Sequence, residues 1–138
     1  TGFIPHEFVL KLLPSFDVVT AYHEHDLPIY NVAVPTKILE YLAAGCAIVT
    51  TDQKMYKNML THNEDAILTA QNPLSFANGI LHVLNDPKIC EKLKTNALNT
   101  AQQYSIESVV DSIEYIYDKL LCSCMSPEPS RMNSFIYP

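Results

Sequence analysis

The sequence has no apolar run long enough to cross a bilayer. Its longest uncharged apolar stretch, around residues 41–51, is well short of the roughly 20 residues that a membrane-spanning helix needs. No charged n-region followed by an apolar core opens the chain, so a secretory signal peptide is not expected. Basic residues are scarce. Nine Lys and Arg stand against 15 Asp and Glu, giving a formal net charge of −6 and a pI of about 5.2. A nucleic-acid partner needs a basic surface, so none is expected. A local anion site remains open, because helix N-termini attract anions whatever the net charge. Glycine is rare, at 3 residues, which rules out a collagen-like chain, and 48% hydrophobic against 17% charged residues rules out a disordered one. The four cysteines, Cys46, Cys90, Cys122 and Cys124, match neither a zinc spacing nor a disulfide framework. Reduced thiols in a cytoplasmic compartment are expected.

What is present fits one soluble globular domain of 138 residues, long enough to bury a core. The first residue is Thr1 rather than Met, and the expectation is a piece of a longer protein. The stretch "PHEFVLKLLPSF" reads as a short helix that Pro14 stops, with Phe8 and Leu12 on one face and Val9 and Leu13 beside them. "DVVTAY" reads as a buried strand, and the polar, Pro28-containing segment after it as a loop. Pro35 then opens a helix and Gly45 closes it, the usual asymmetry of helix ends. Ile38, Leu39, Leu42 and Ala43 form its apolar stripe. "CAIVTT" and "DAILTA" read as two further buried strands, with a short helix over "KMYKNMLTH" between them.

The remainder is helical. Asn72-Pro73 and Asp86-Pro87 are cap-plus-proline starts. Leu74, Ala77, Leu81 and Leu84 line one stripe, widened by Phe76, Ile80 and Val83. Leu93, Ala97 and Ala101 continue a narrower one. Ser105 caps a last helix with Ile106, Val109, Ile113, Ile116 and Leu120 at three-four spacing, too short for a coiled coil and suited to docking on a domain. Residues 122–138, with three prolines and no period, read as a loose tail after a domain spanning 1–121. Strands that alternate with helices and lack polar alternation predict a Rossmann-like α/β domain, with a parallel sheet covered on both faces.

In an open parallel sheet, ligands sit at the carboxyl ends of the strands. The helix at Pro35 begins at such an end. Its N-terminus offers unpaired N–H groups and a partial positive charge, to which Thr36 adds a hydroxyl and Lys37 a full charge, a set suited to a diphosphate. Glu40 lies one turn deeper, on the face of Thr36, where a carboxylate can accept two hydrogen bonds from a vicinal diol such as a ribose. By spacing alone the favoured reading is plainer: Lys37 and Glu40 as an i, i+3 ion pair on an exposed face. His23, Glu24, His25 and Asp26 contain a two-histidine, one-carboxylate set that metals use, but a polar loop of mixed charge accounts for them better, and no metal is expected. His6, His62 and His82 read as isolated surface residues. Asp52 reads as a turn or cap residue or a ligand contact, and Cys46 as core.

"PTKILEYLAAGCAIVTTD" resembles the donor-binding signature of family 4 glycosyltransferases of the GT-B fold, in which Pro-(Ser/Thr)-Lys runs into Glu-Tyr-(Leu/Met)-Ala-x-Gly and a buried strand. "GFIPHEFVLKLLPSFDVVT" before it and "NEDAILTAQNPLSFANGILHVLNDPKICEKLKTNA" after it are similar to the flanking steps of that family, in the same order, so the resemblance covers residues 1–121. It implies the donor-binding C-terminal part of a GT-B enzyme, incomplete at its N-terminus, that transfers a hexosyl group with retention. Glu40 would hold the ribose of a UDP- or GDP-sugar, with Pro35, Thr36, Lys37 and Asn31 also on the donor. No cofactor is implied, the donor being a substrate. A glycan or lipid-linked acceptor would bind through an N-terminal domain, in polysaccharide, lipid-linked glycan or glycoprotein assembly, with room for peripheral membrane association. Many members carry a second Glu eight positions before the ribose-binding one, and this chain has Val32 there. The alternatives are a non-catalytic, truncated interaction module and a sugar-nucleotide epimerase of the same architecture. The resemblance assigns no catalytic residue.

Overall fold

The computed structural model describes residues 2–23 and 35–125. Asn31, Val32, Glu24, His25 and Asp26 therefore lie outside the described residues. The chain divides into two compact units, Thr1–Tyr104 and Ser105–Pro138.

The first unit opens with helix α1 (His6–Leu12), for which Pro5 is the N-cap. Pro14 does not end the helix abruptly. It sits in a 3₁₀ turn, Leu13–Ser15, that continues from α1, since the first turn of such a segment tolerates a missing N–H. Strand β1 (Val19–Ala21) follows, then α2 (Thr36–Ala43), β2 (Ile48–Thr51), α3 (Lys54–Lys57) and β3 (Ala66–Thr69). Helices α4 (Pro73–Asn85) and α5 (Pro87–Gln102) complete the unit. The side chain of Asn72 accepts from the Ser75 N–H, and that of Asp86 from the Lys88 and Ile89 N–H groups, so both cap-plus-proline signals mark real helix starts.

The strands form a parallel sheet in the order β1-β2-β3, with Val19 opposite Ile48 and Ile48 opposite Ala66. Successive residues of a strand point to opposite faces. Accordingly Val19, Ala21, Ile48 and Ala66 join one core cluster with Ile38 and Leu42 of α2 and Met55 and Tyr56 of α3. Val49 and Ile67 join a second with Val83 of α4 and Leu93 of α5. Both faces are covered, which is why these strands show no polar alternation. Ile38 and Leu42 are fully buried and contribute about 2 kcal/mol each. Gly45, at φ +63°, takes the left-handed conformation that ends α2, and a Cβ there would come within 3.0 Å of Leu98 Cγ on α5.

Two helix faces differ from the sequence expectation. On α4, Leu74, Leu81 and Leu84 are exposed, and Gly79 and Val83 are the residues turned into the protein, with Phe76 and Ile80 beside them. Gly79 decides this. It brings α4 so near the sheet that an added Cβ would meet Thr69 Cγ2 at 2.6 Å. A leucine face could not approach so closely. On α1 and the 3₁₀ turn after it, Val9 and Leu13 reach the core whereas Phe8 and Leu12 are half-exposed.

The outer edge at β3 is partly covered. The Leu68 N–H donates to Nδ1 of His62 at 3.0 Å, and His62 bridges to Ala66. His62 is exposed, as the sequence suggested, and also supports the strand edge. The second unit contains helix α6 (Ile106–Met125). The Ser108 N–H donates to Oγ of Ser105, as expected of an N-cap. The helix runs past Leu121, because the sequence holds no proline or glycine before Pro127 to stop it. Among the described residues no helix is long and apolar enough to cross a membrane.

Candidate functional site

Parallel strands end on one edge, so the residues after β1, β2 and β3 gather there: Tyr22 and His23, Asp52 and Gln53, Ala70 and Gln71. Buried threonines tie these ends together. Thr50 Oγ1 donates to the Ala21 carbonyl at 2.7 Å, and Thr69 Oγ1 to the Thr50 carbonyl at 3.3 Å. His23 is held at three points. Its N–H donates to Thr51 Oγ1 at 3.3 Å, its carbonyl accepts from Gln53 Nε2 at 3.5 Å, and its Nδ1 lies 3.3 Å from the hydroxyl of the buried Tyr56. Burial lowers the pKa of His23, and the Lys37 ammonium lowers it further. His23 and Lys37 therefore feel each other at this edge, although they are 14 residues apart.

The start of α2 supplies the complementary half. Pro35, at φ −62° and ψ 129°, is an extended N-cap with no side-chain cap bond, and the Ile38 N–H turns back to its carbonyl at 3.0 Å. Among the described residues no side chain caps the first N–H groups of the helix, whose start carries a partial positive charge. Thr36 is exposed and Lys37 half-buried at this mouth.

Glu40 lies one turn in, with its side chain 28% exposed, and its Oε1 accepts a hydrogen bond from Nε2 of His6 at 2.9 Å. The close contacts between basic and acidic side chains among the described residues are His6–Glu40, Lys57–Asp52 and Lys92–Glu64. The i, i+3 pairing of Lys37 with Glu40 does not form. Each charge is left with a separate neighbour, Glu40 with His6 and Lys37 with the field around His23. Sequence reasoning missed His6, since nothing in a linear pattern joins residues 34 apart. Asp52 directly follows β2 and does not cap α3, whose N-cap is Gln53. The Asp52 N–H donates to the Thr69 carbonyl at 2.7 Å, and its carboxylate lies 3.0 Å from Lys57 Nζ.

Tyr41 and Cys46 report the electrostatics behind the site. Burial raises the Tyr41 pKa first, and the neighbouring Cys46 and Glu40 add to it. Cys46 is buried, its Sγ 3.4 Å from the Leu13 carbonyl, and burial raises its pKa against the opposing field of Lys94. Among the described residues no group of three His, Cys, Asp or Glu could hold a metal. Two clefts have no α2 residue in their lining. One of about 400 Å³ is lined by Asp17, Val83, Cys90 and Lys94, and one of about 480 Å³ by Asp52, Lys57, His62 and Leu68.

Among the described residues, a three-stranded parallel sheet with helices on both faces and a polar mouth at its carboxyl edge defines a Rossmann-like α/β domain. The chain belongs to the family "Glycosyl transferases group 1", whose model matches residues 1–100, and its fold is that of the C-terminal part of a GT-B glycosyltransferase. The solved structure of a sucrose-phosphate synthase from Thermosynechococcus elongatus is similar, with a TM-score of 0.70 at 20% sequence identity, over 89% of this chain and 30% of that one. None of the curated proteins compared matches the chain.

Proposed function

We propose that this chain binds the nucleotide-sugar donor of a retaining, family 4 type glycosyltransferase, with Glu40 on the ribose diol and the Pro35–Thr36–Lys37 turn on the diphosphate. The observation that carries the reading is the position of Glu40. It lies one turn inside the uncapped end of α2, with one carboxylate oxygen bonded to His6 and no described group donating to the other. A carboxylate in that position can accept from a diol while the diphosphate reaches the helix end. When the glycosyl bond breaks, negative charge grows on the leaving diphosphate, and Lys37 and the α2 N–H groups stabilise it without reorganising. His23 stands at the same mouth, with its pKa lowered, and suits a hydrogen bond to a sugar or phosphate oxygen better than an ion pair.

The reading takes the donor to be a UDP- or GDP-sugar, with no metal needed to hold it. The acceptor would be a glycan or lipid-linked saccharide bound elsewhere in the enzyme, in the cytoplasm. Calorimetric titration of the full chain with UDP, GDP and their sugars tests it. Binding that Glu40→Ala weakens about tenfold or more supports the reading, since two charge-assisted hydrogen bonds are removed. Equal binding by wild type and Glu40→Ala refutes the assignment.

A further inference from the structure

We infer that His6 is a positioning residue for Glu40: it fixes the carboxylate so that the other oxygen and the open lone pairs of the first are presented to the ribose diol. This rests on the reading of Glu40 as the ribose-binding residue.

The geometry begins with the two helices. Val9 and Leu13 of the α1 segment pack on the same core as Ile38 and Leu42 of α2, so the separation of α1 and α2 is set by apolar contact. His6 is the first residue of α1, directly after Pro5, and its Nε2 reaches Oε1 of Glu40 at 2.9 Å. A carboxylate only accepts, so the ring nitrogen is the donor.

The bond has little to do for stability. The His6 side chain is 65% exposed, and exposed pairs contribute little to folding. Its consequence is conformational. A glutamate has three side-chain torsions to freeze when it captures a ligand, and freezing them opposes binding. A carboxylate already anchored at one oxygen has lost that freedom before the nucleotide arrives, which is preorganisation. The bond also leaves Oε2 without a described donor, so the anchored group keeps acceptor capacity for two hydroxyls.

The test separates orientation from folding. Binding of UDP and of 2′,3′-dideoxy-UDP to the full chain is measured by calorimetry, with GDP and its dideoxy form in parallel. The readout is the ribo-to-dideoxy affinity ratio, which isolates the diol contact. His6→Ala is expected to lower the ratio about threefold, in line with loss of one exposed hydrogen bond, and to leave dideoxy affinity unchanged. His6→Gln, whose amide nitrogen can stand where Nε2 stands, restores the ratio. His6→Asn, one carbon shorter, does not. A ratio in His6→Ala equal to wild type, while Glu40→Ala abolishes it, overturns the role of His6 and leaves Glu40 in place. A ratio that Glu40→Ala does not change, or no binding of either nucleotide to wild type, overturns both.

Discussion

The imidazole of His23 and the hydroxyl of Tyr56 meet at 3.3 Å, joining the end of β1 to α3 across the carboxyl edge of the sheet. Burial, and after it Lys37, lowers the His23 pKa. The folded protein then holds this proton less tightly than the unfolded chain, whose histidines titrate near 6.5. The stabilising contribution is complete above that pH and is lost as pH falls through the folded value. An NMR titration should place His23 below an ordinary histidine, and Lys37→Gln should move it back upward. A His23 that titrates normally in wild type would contradict the environment described.

Gly79 and Thr69 give a packing prediction. Gly79→Ala gains helix propensity of about 1 kcal/mol, but its Cβ would lie 2.6 Å from Thr69 Cγ2 and 3.2 Å from Val49 Cγ1. Overpacking of this kind costs about 1–3 kcal/mol. Net destabilisation in urea is expected. Adding Thr69→Ser removes Cγ2, keeps the hydroxyl that donates to the Thr50 carbonyl, and should recover most of the loss.

Asp65 ties the start of β3 to α5. Its Oδ1 accepts from the Thr61 N–H and its Oδ2 from Thr100 Oγ1, both at 2.7 Å, and it is 5% exposed. Asp65→Ala leaves both donors without this partner and should cost about 1–3 kcal/mol in a denaturant titration. Thr100→Val should cost less, because Oδ1 keeps its partner.

Cys46 should be inert. Burial and a raised pKa both suppress the thiolate that reacts. Iodoacetamide at pH 8, followed by mass spectrometry, should leave Cys46 unmodified in the native chain and label it in denaturant. Rapid native labelling would contradict the packing of the β2 entrance.

How much was legible in the sequence depended on range. Capping is local, so Asn72 and Asp86 marked their helices correctly, and Pro35 and Gly45 bracketed α2. The buried parallel strands were legible from their lack of polar alternation. The α4 face was read in part: Phe76, Ile80 and Val83 do pack inward, but the Leu74, Leu81 and Leu84 stripe does not, because leucine spacing marks an apolar stripe and not which side of it a neighbouring sheet will take. Gly79 settled that, and a glycine carries no hydrophobic signal. His6 was illegible for the same reason: its meaning comes from α1 lying beside α2. At the start of α2, the sequence pointed to Glu40 and Lys37 but favoured, on spacing, a pairing between them that the fold does not make.

The central claim is that Glu40 holds a nucleotide ribose. The most direct measurement is the affinity of the full chain for UDP- and GDP-sugars by calorimetry, wild type against Glu40→Ala. The account predicts a loss of about tenfold or more for the nucleotide that binds. Undiminished affinity in Glu40→Ala for every nucleotide sugar would contradict it.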